Sequence, residues 1–92
     1  MESPQREPGL TPLGQRVREL RKARGLRSTQ LAARGGFSHT LIASLETGRR
    51  KYVTPIDIAM LAAALEVPES ELWDLIPAGK SERRYVPIGD WT

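Results

Sequence analysis

The side chains of this chain best suited to act on another molecule are short, and they are grouped. Within STQLAARGGFSHTLIASLETG, residues 28–48, the residues His39, Thr40, Ala43, Ser44 and Thr47 recur three and four positions apart. That spacing puts side chains on one face of a helix. Imidazole and hydroxyl groups offer single hydrogen bonds and alanine a bare methyl, so such a face can approach a groove floor closely and read it without reacting with it. Basic residues flank the stretch, with Arg27 and Arg34 ahead of Ser38 and Arg49, Arg50 and Lys51 after Thr47. An anionic partner suits that arrangement.

Covalent chemistry is poorly provided for. The 92 residues contain no cysteine, which removes disulfides, thiolate catalysis and cysteine-held zinc together. The one histidine, His39, cannot build a histidine metal cluster. No Cys–His, Ser–His–Asp, metal or phosphate-loop pattern is present, so no catalytic residue, no metal and no cofactor are expected, and the chain is not expected to be an enzyme. No apolar run approaches the roughly 20 residues that span a bilayer, and the polar, proline-bearing start is unlike a signal peptide. A cytoplasmic protein with no membrane partner is the expectation.

Charge divides unevenly. The net charge is +3, but residues 1–50 carry ten basic and four acidic side chains, and residues 51–92 carry four basic and seven acidic. A basic half joined to an acidic half fits an anionic partner on one face, or an ordinary solvated surface.

Five short helices must position the candidate face. Thr11-Pro12 has the cap and first-turn proline of a helix start, followed by Leu13, Val17 and Leu20 on one stripe and then Gly25 as a stop. A second helix is expected from Ser28 or Thr29 to Gly35-Gly36, with Leu31 and Ala32 inward. Ser38 caps a third, with Leu41, Ile42 and Leu45 inward and Gly48 ending it. Thr54-Pro55-Ile56-Asp57 is an acidic variant of a capping box, opening a fourth helix so apolar from Ile56 to Leu65 that it belongs in the middle. Val67-Pro68 breaks it, and a fifth is expected from about Glu69 to Leu75. A strand-like pattern is confined to Tyr85–Ile88. The expected organisation is a flexible arm (residues 1–10), a compact all-α domain (11–79) and a C-terminal tail (80–92).

The second and third helices meet through Gly36-Phe37-Ser38. For two short helices to cross near 90–120°, a small residue is needed at their approach and a left-handed residue at the turn; Ala32 and Gly36 supply them. With an upstream LGQRVRELRKARGL and a downstream IAMLAAALEVPESELW, the run QLAARGGFSHTLIASLETGRR resembles the lambda-repressor-like, Cro-type helix-turn-helix domains, also called the xenobiotic-response-element family. The resemblance covers Leu13 to Leu75. It implies a compact five-helix domain whose recognition helix is Ser38–Thr47. It also implies that Glu46 pairs with Arg21 as a scaffold tie between the third and first helices. Four features depart from the family pattern: Ser28 replaces a backbone-touching glutamine, Gly35 an apolar residue and Pro68 a capping residue, and the RRKYVTP connection is about two residues longer. A loosened end to the second helix is expected from Gly35.

The expected function is that of a sequence-specific double-stranded DNA-binding transcriptional regulator, a repressor, acting as a homodimer. Base reading falls to His39, Thr40, Ala43, Ser44 and Thr47. Phosphate binding falls to Arg27, Ser28, Ser38, Arg49, Arg50, Lys51 and Tyr52. Trp73, Ile76, Tyr85, Val86 and Trp91 are candidates for a subunit contact, with ordinary core the favoured reading for Trp73. A second reading is an antitoxin-like or adaptor protein whose C-terminal tail binds a protein partner, with DNA binding secondary.

Overall fold

The computed structural model describes residues 11–76 and 84–88. The expected arm at residues 1–10 and the aromatic Trp91 lie outside the described residues. Helices α1 (Pro12–Ala23), α2 (Ser28–Gly35) and α3 (His39–Thr47) come first, then strand β1 (Tyr52–Val53), helices α4 (Pro55–Leu65) and α5 (Glu69–Trp73), and strand β2 (Val86–Pro87). The architecture is all-α, with the two-residue strands as a minor addition.

The caps act where their residue types require. Thr11 accepts the Gly14 N–H at 3.0 Å, and Ser38 accepts the Leu41 N–H at 3.3 Å. Thr54 and Asp57 close a reciprocal box, with bonds of 3.1 and 3.0 Å. Gly36 ends α2 at φ +76°, a left-handed conformation that Cβ sterics deny most residues. The fourth helix ends differently from expectation. Glu66, not the Val67-Pro68 pair, takes the left-handed cap at φ 60°, and the Val67 N–H returns to the Ala62 carbonyl at 3.0 Å. The Glu66 carboxylate is held by Arg24 at 3.0 Å and Arg34 at 3.4 Å, so one acidic cap ties α1, α2 and α4.

The core is continuous: Leu13 and Val17 of α1, Leu31 and Ala32 of α2, Leu41, Ile42 and Leu45 of α3, and Ile58, Leu61, Ala62 and Leu65 of α4 are all buried. Each fully buried Leu or Ile contributes about 1.5–3 kcal/mol of transfer free energy. Two members of the apolar fourth helix depart from the expected burial, since Ile56 in its first turn is 68% exposed and Ala63 is exposed as well. Helix α5 is shorter than expected, and two turn bonds, Leu75 to Leu72 and Ile76 to Trp73, carry the chain on.

Two glycines set close approaches. A Cβ on Gly14 would strike the Leu45 carbonyl oxygen, so only glycine lets α1 lie directly against the backbone of α3. A Cβ on Gly35 would strike the Phe37 ring, which occupies the space. The expected loosening at Gly35 is therefore replaced by a ring packed over the glycine.

A strand at residues 52–53 was not expected in the RRKYVTP connection. Its partner is β2, antiparallel, with Tyr52 opposite Pro87 and Val53 opposite Val86. The Ile88 N–H extends the ladder to the Lys51 carbonyl at 3.1 Å. Val53, Val86 and Ile88 are fully buried, so the pair is sealed onto the helical core by one apolar face. Two candidates for a subunit contact are corrected by the same burial: Val86 and Ile76 belong to the core, as does Trp73, where core was the favoured reading, whereas Tyr85 is exposed.

Candidate nucleic-acid interface

Helix α3 is amphipathic in the sense its sequence requires. Leu41, Ile42, Leu45 and Glu46 face inward, and His39, Thr40 and Thr47 are exposed, with Ala43 and Ser44 half-buried between them. Arg21 of α1 meets Glu46 through two parallel bonds, Nε to Oε2 at 2.7 Å and Nη2 to Oε1 at 2.9 Å. Both side chains are nearly covered, at 12% and 10% exposure, so neither charge can fall back on water. The third arm of the guanidinium donates to the Leu26 carbonyl at 2.8 Å, which fastens the turn into α2 to the same node. The hydrogen bond to Glu46 raises the Arg21 pKa above the ordinary arginine value, with the Glu46 charge adding and burial opposing. Stability from that shift is fully present below the ordinary arginine value and is lost only as pH rises beyond it, outside any working range.

The outer residues are more committed than their types alone indicate. His39 Nε2 lies 3.0 Å from Ser28 Oγ, which links the first turns of α3 and α2. Ser28 is the first helical residue of α2 and not its cap. Arg27 is the cap, and its N–H is taken by Gln30 Oε1 at 2.7 Å. Ser44 donates to the Leu41 carbonyl at 3.0 Å and Thr47 to the Ala43 carbonyl at 2.8 Å. A hydroxyl that has given its proton to its own helix can only accept from a ligand.

Beyond Gly48, the basic run separates into different roles. Arg49 is exposed beside the helix end. Arg50 donates from Nε to the Tyr52 carbonyl at 2.9 Å, and its Nη2 lies 3.8 Å from the Asp57 capping carboxylate, so it is partly turned toward the scaffold. Lys51, just before β1, and Tyr52, its first residue, are exposed. Two open grooves result on the outer side of α3. One, of about 250 Å³, is lined by Thr40, Ala43, Ser44, Thr47 and Arg49. The other, of about 450 Å³, runs from Thr40 and Ser44 across Arg49, Arg50 and Lys51 to Tyr52 and Tyr85. No carboxylate lines either groove.

Thus four of the five expected base-reading residues share one concave surface with Arg49, while His39 stands at its end against Ser28. Arg27 and Ser38 sit apart from the grooves, at the two helix starts. Gly14 escaped notice in the sequence, although its place among Leu13 and Val17 on the buried face of α1 is the signal that a backbone must come close there. The strand-like pattern at Tyr85–Ile88 is a local signal for β2, but nothing local names its partner, which lies more than thirty residues away.

The arrangement of five helices, with a short pair crossing through a left-handed glycine, is that of a helix-turn-helix domain. Residues 12–75 match the profile of the family described as Helix-turn-helix domain, and the chain belongs to that family, in its Cro/lambda-repressor-like form. It is 44% identical over 63 residues to RghRB, an uncharacterized HTH-type transcriptional regulator of Bacillus subtilis (strain 168). That match takes in 68% of this chain but only 45% of the relative's own length. Among solved structures, it is similar to the restriction-modification controller protein C.AhdI from Aeromonas hydrophila, at 38% identity and a TM-score of 0.64, over 72% of this chain and 98% of that one. It is also similar to SinR, the master regulator for biofilm formation, solved in complex with DNA, at 25% identity and a TM-score of 0.63, over 65% of this chain and 95% of that one. SinR has also been solved in a complex with the SinI protein, where the likeness is 26% identity with a TM-score of 0.64, over 67% of this chain and 60% of that one.

Proposed function

We propose that the protein is a double-stranded DNA-binding transcriptional regulator that inserts α3 into the major groove and represses by occluding the promoter. The observation that carries this reading is the carboxylate-free concave surface of α3, small side chains along its floor and Arg49 at its rim. A B-form major groove about 12 Å wide admits one helix, and short side chains let that helix approach the base edges. Thr40, Ala43, Ser44 and Thr47 read bases in this account. Ser44 and Thr47, acting as acceptors, favour the amino groups of cytosine or adenine, and Ala43 favours a thymine methyl. His39 reads through the ring nitrogen that Ser28 leaves available. Arg49, Lys51 and Tyr52 meet phosphates, with Arg27, Ser28 and Ser38 at the helix starts and Arg50 in a lesser role because Asp57 draws on its charge. Arg21 and Glu46 touch no DNA and hold α3 against α1.

One inserted helix gives a small interface, so the protein acts as a two-fold dimer on half-sites about 34 Å apart. The regulators named above, and a DNA-bound SinR, support this class of function and a cytoplasmic setting among nucleic acid. Selection from a random duplex library at two salt concentrations tests it. A palindrome is expected to emerge, bound with a steep loss of affinity as salt rises. Recovery of no sequence above the starting pool would refute the reading.

A second reading keeps a protein partner at the C-terminal segment, in line with the SinR–SinI complex. Burial of Val86 and Ile88 leaves Tyr85 as its exposed aromatic residue among those described.

A further inference from the structure

Tyr52 and Tyr85 are 48% and 60% exposed, although each adjoins a fully buried valine in its own segment. Strand alternation explains both facts. With Val53 opposite Val86 turned to the core, Tyr52 and Tyr85 fall on the opposite face, as diagonal neighbours across the ladder. Aromatic side chains reach each other at that separation, roughly 7–8 Å. They line one groove with Thr40 and Ser44 of α3 and with Arg49, Arg50 and Lys51. Tyr85 lies outside the 12–75 stretch that matches the helix-turn-helix family, so the ribbon adds a wall that the family's own segment does not supply.

We propose that the β1–β2 ribbon is a second DNA-contacting element, in which Tyr85, with Tyr52, clamps the sugar–phosphate strand bordering the major groove that α3 enters. This rests on the DNA-binding reading above and assigns a further residue to it. Charge complementarity selects the occupant: three basic side chains and no carboxylate line the groove. The two phenol rings supply flat apolar faces for deoxyribose and hydroxyl donors for phosphate oxygens. The contact fixes the register of α3 rather than reading a base, since phosphate contacts position and base contacts specify.

The test uses the full chain and the duplex recovered by selection, with binding followed by fluorescence anisotropy across a salt series. Tyr85→Ala is expected to weaken binding about tenfold, the scale of one hydrogen bond to a charged oxygen plus a ring contact, and Tyr85→Phe by a smaller factor. The salt slope should stay unchanged in both, because no charge is lost, whereas Arg49→Ala should reduce it by about one ion. Ethylation interference should lose the same one phosphate per half-site in Tyr85→Ala and Tyr85→Phe, both of which lack the hydroxyl, at a position that Arg49→Ala leaves intact. Thermal melting should not move, since the side chain is exposed. Wild-type affinity and an intact ethylation pattern in Tyr85→Ala would overturn the ribbon contact while leaving the DNA-binding reading standing. Reduced self-association with unchanged half-site affinity would also overturn it, in favour of a subunit contact. Failure of the wild-type chain to bind any duplex would overturn both.

Discussion

Helix α3, set by its pairing with α2, and the ribbon β1–β2 line one groove, yet they are held in place by different means. The helix pair carries its instructions locally: caps at Ser38, a left-handed glycine at Gly36, and inward residues three and four apart. Its strongest long-range polar tie is the Arg21–Glu46 pair, with Arg34–Glu66 a more exposed second. The ribbon has local instruction only in its second strand, where Tyr85–Ile88 reads as strand-like, and none for the pairing. Two residues pair with two others across more than thirty positions, and only burial of Val53, Val86 and Ile88 fixes them. The difference teaches that a reading element can be specified by sequence spacing, while an added wall beside it is specified by the core it covers.

The sharpest way to break the contrast is at the polar tie. Arg21→Ala leaves the Glu46 carboxylate covered and unpaired, and the expected loss is about 3 kcal/mol, at the low end for a broken buried pair. In a domain of this size that lowers the melting temperature on the order of 15 °C, and DNA binding falls with it. Unchanged melting by circular dichroism, with binding lost, would mean that Arg21 serves DNA and not the scaffold. Next in size, Ile88→Ala should cost about 2 kcal/mol, because it empties a fully buried site at the edge of the core. A loss below about 0.5 kcal/mol, the range of a surface substitution, would detach the ribbon from the core. His39→Ala comes last: its melting should stay within about 0.5 kcal/mol of wild type, while its base preference shifts in a repeated selection. An identical selectivity profile would remove His39 from the reading face.

Most of the fold was legible because helices announce themselves within a few residues. Thr11-Pro12, Ser38 and the Thr54–Asp57 box mark starts by chemistry that acts over a single turn. The pairing of Arg21 with Glu46 followed from the family resemblance, and the structure places the two side chains in contact. What the sequence concealed depends on distant partners. Tyr52 and Val53 read as part of a loop because nothing nearby announces that residues 86–88 will lie alongside. The RRKYVTP connection contains that strand. Gly35 was misread for a similar reason, since its role is set by the ring of Phe37 and not by the helix it ends. At the candidate site, residue types were visible, but their prior commitments were not. Ser44 and Thr47 spend their protons on their own helix, and Arg50 leans toward Asp57.

The most direct measurement is an amide-resolved NMR titration of the full chain with its selected duplex. Shifts are expected to gather on residues 39–47, on Arg49 through Tyr52 and on Tyr85, with α5 unaffected. Shifts centred on α5 or on the exposed side of α4, or no shifts at saturating duplex, would contradict the placement of α3 in DNA.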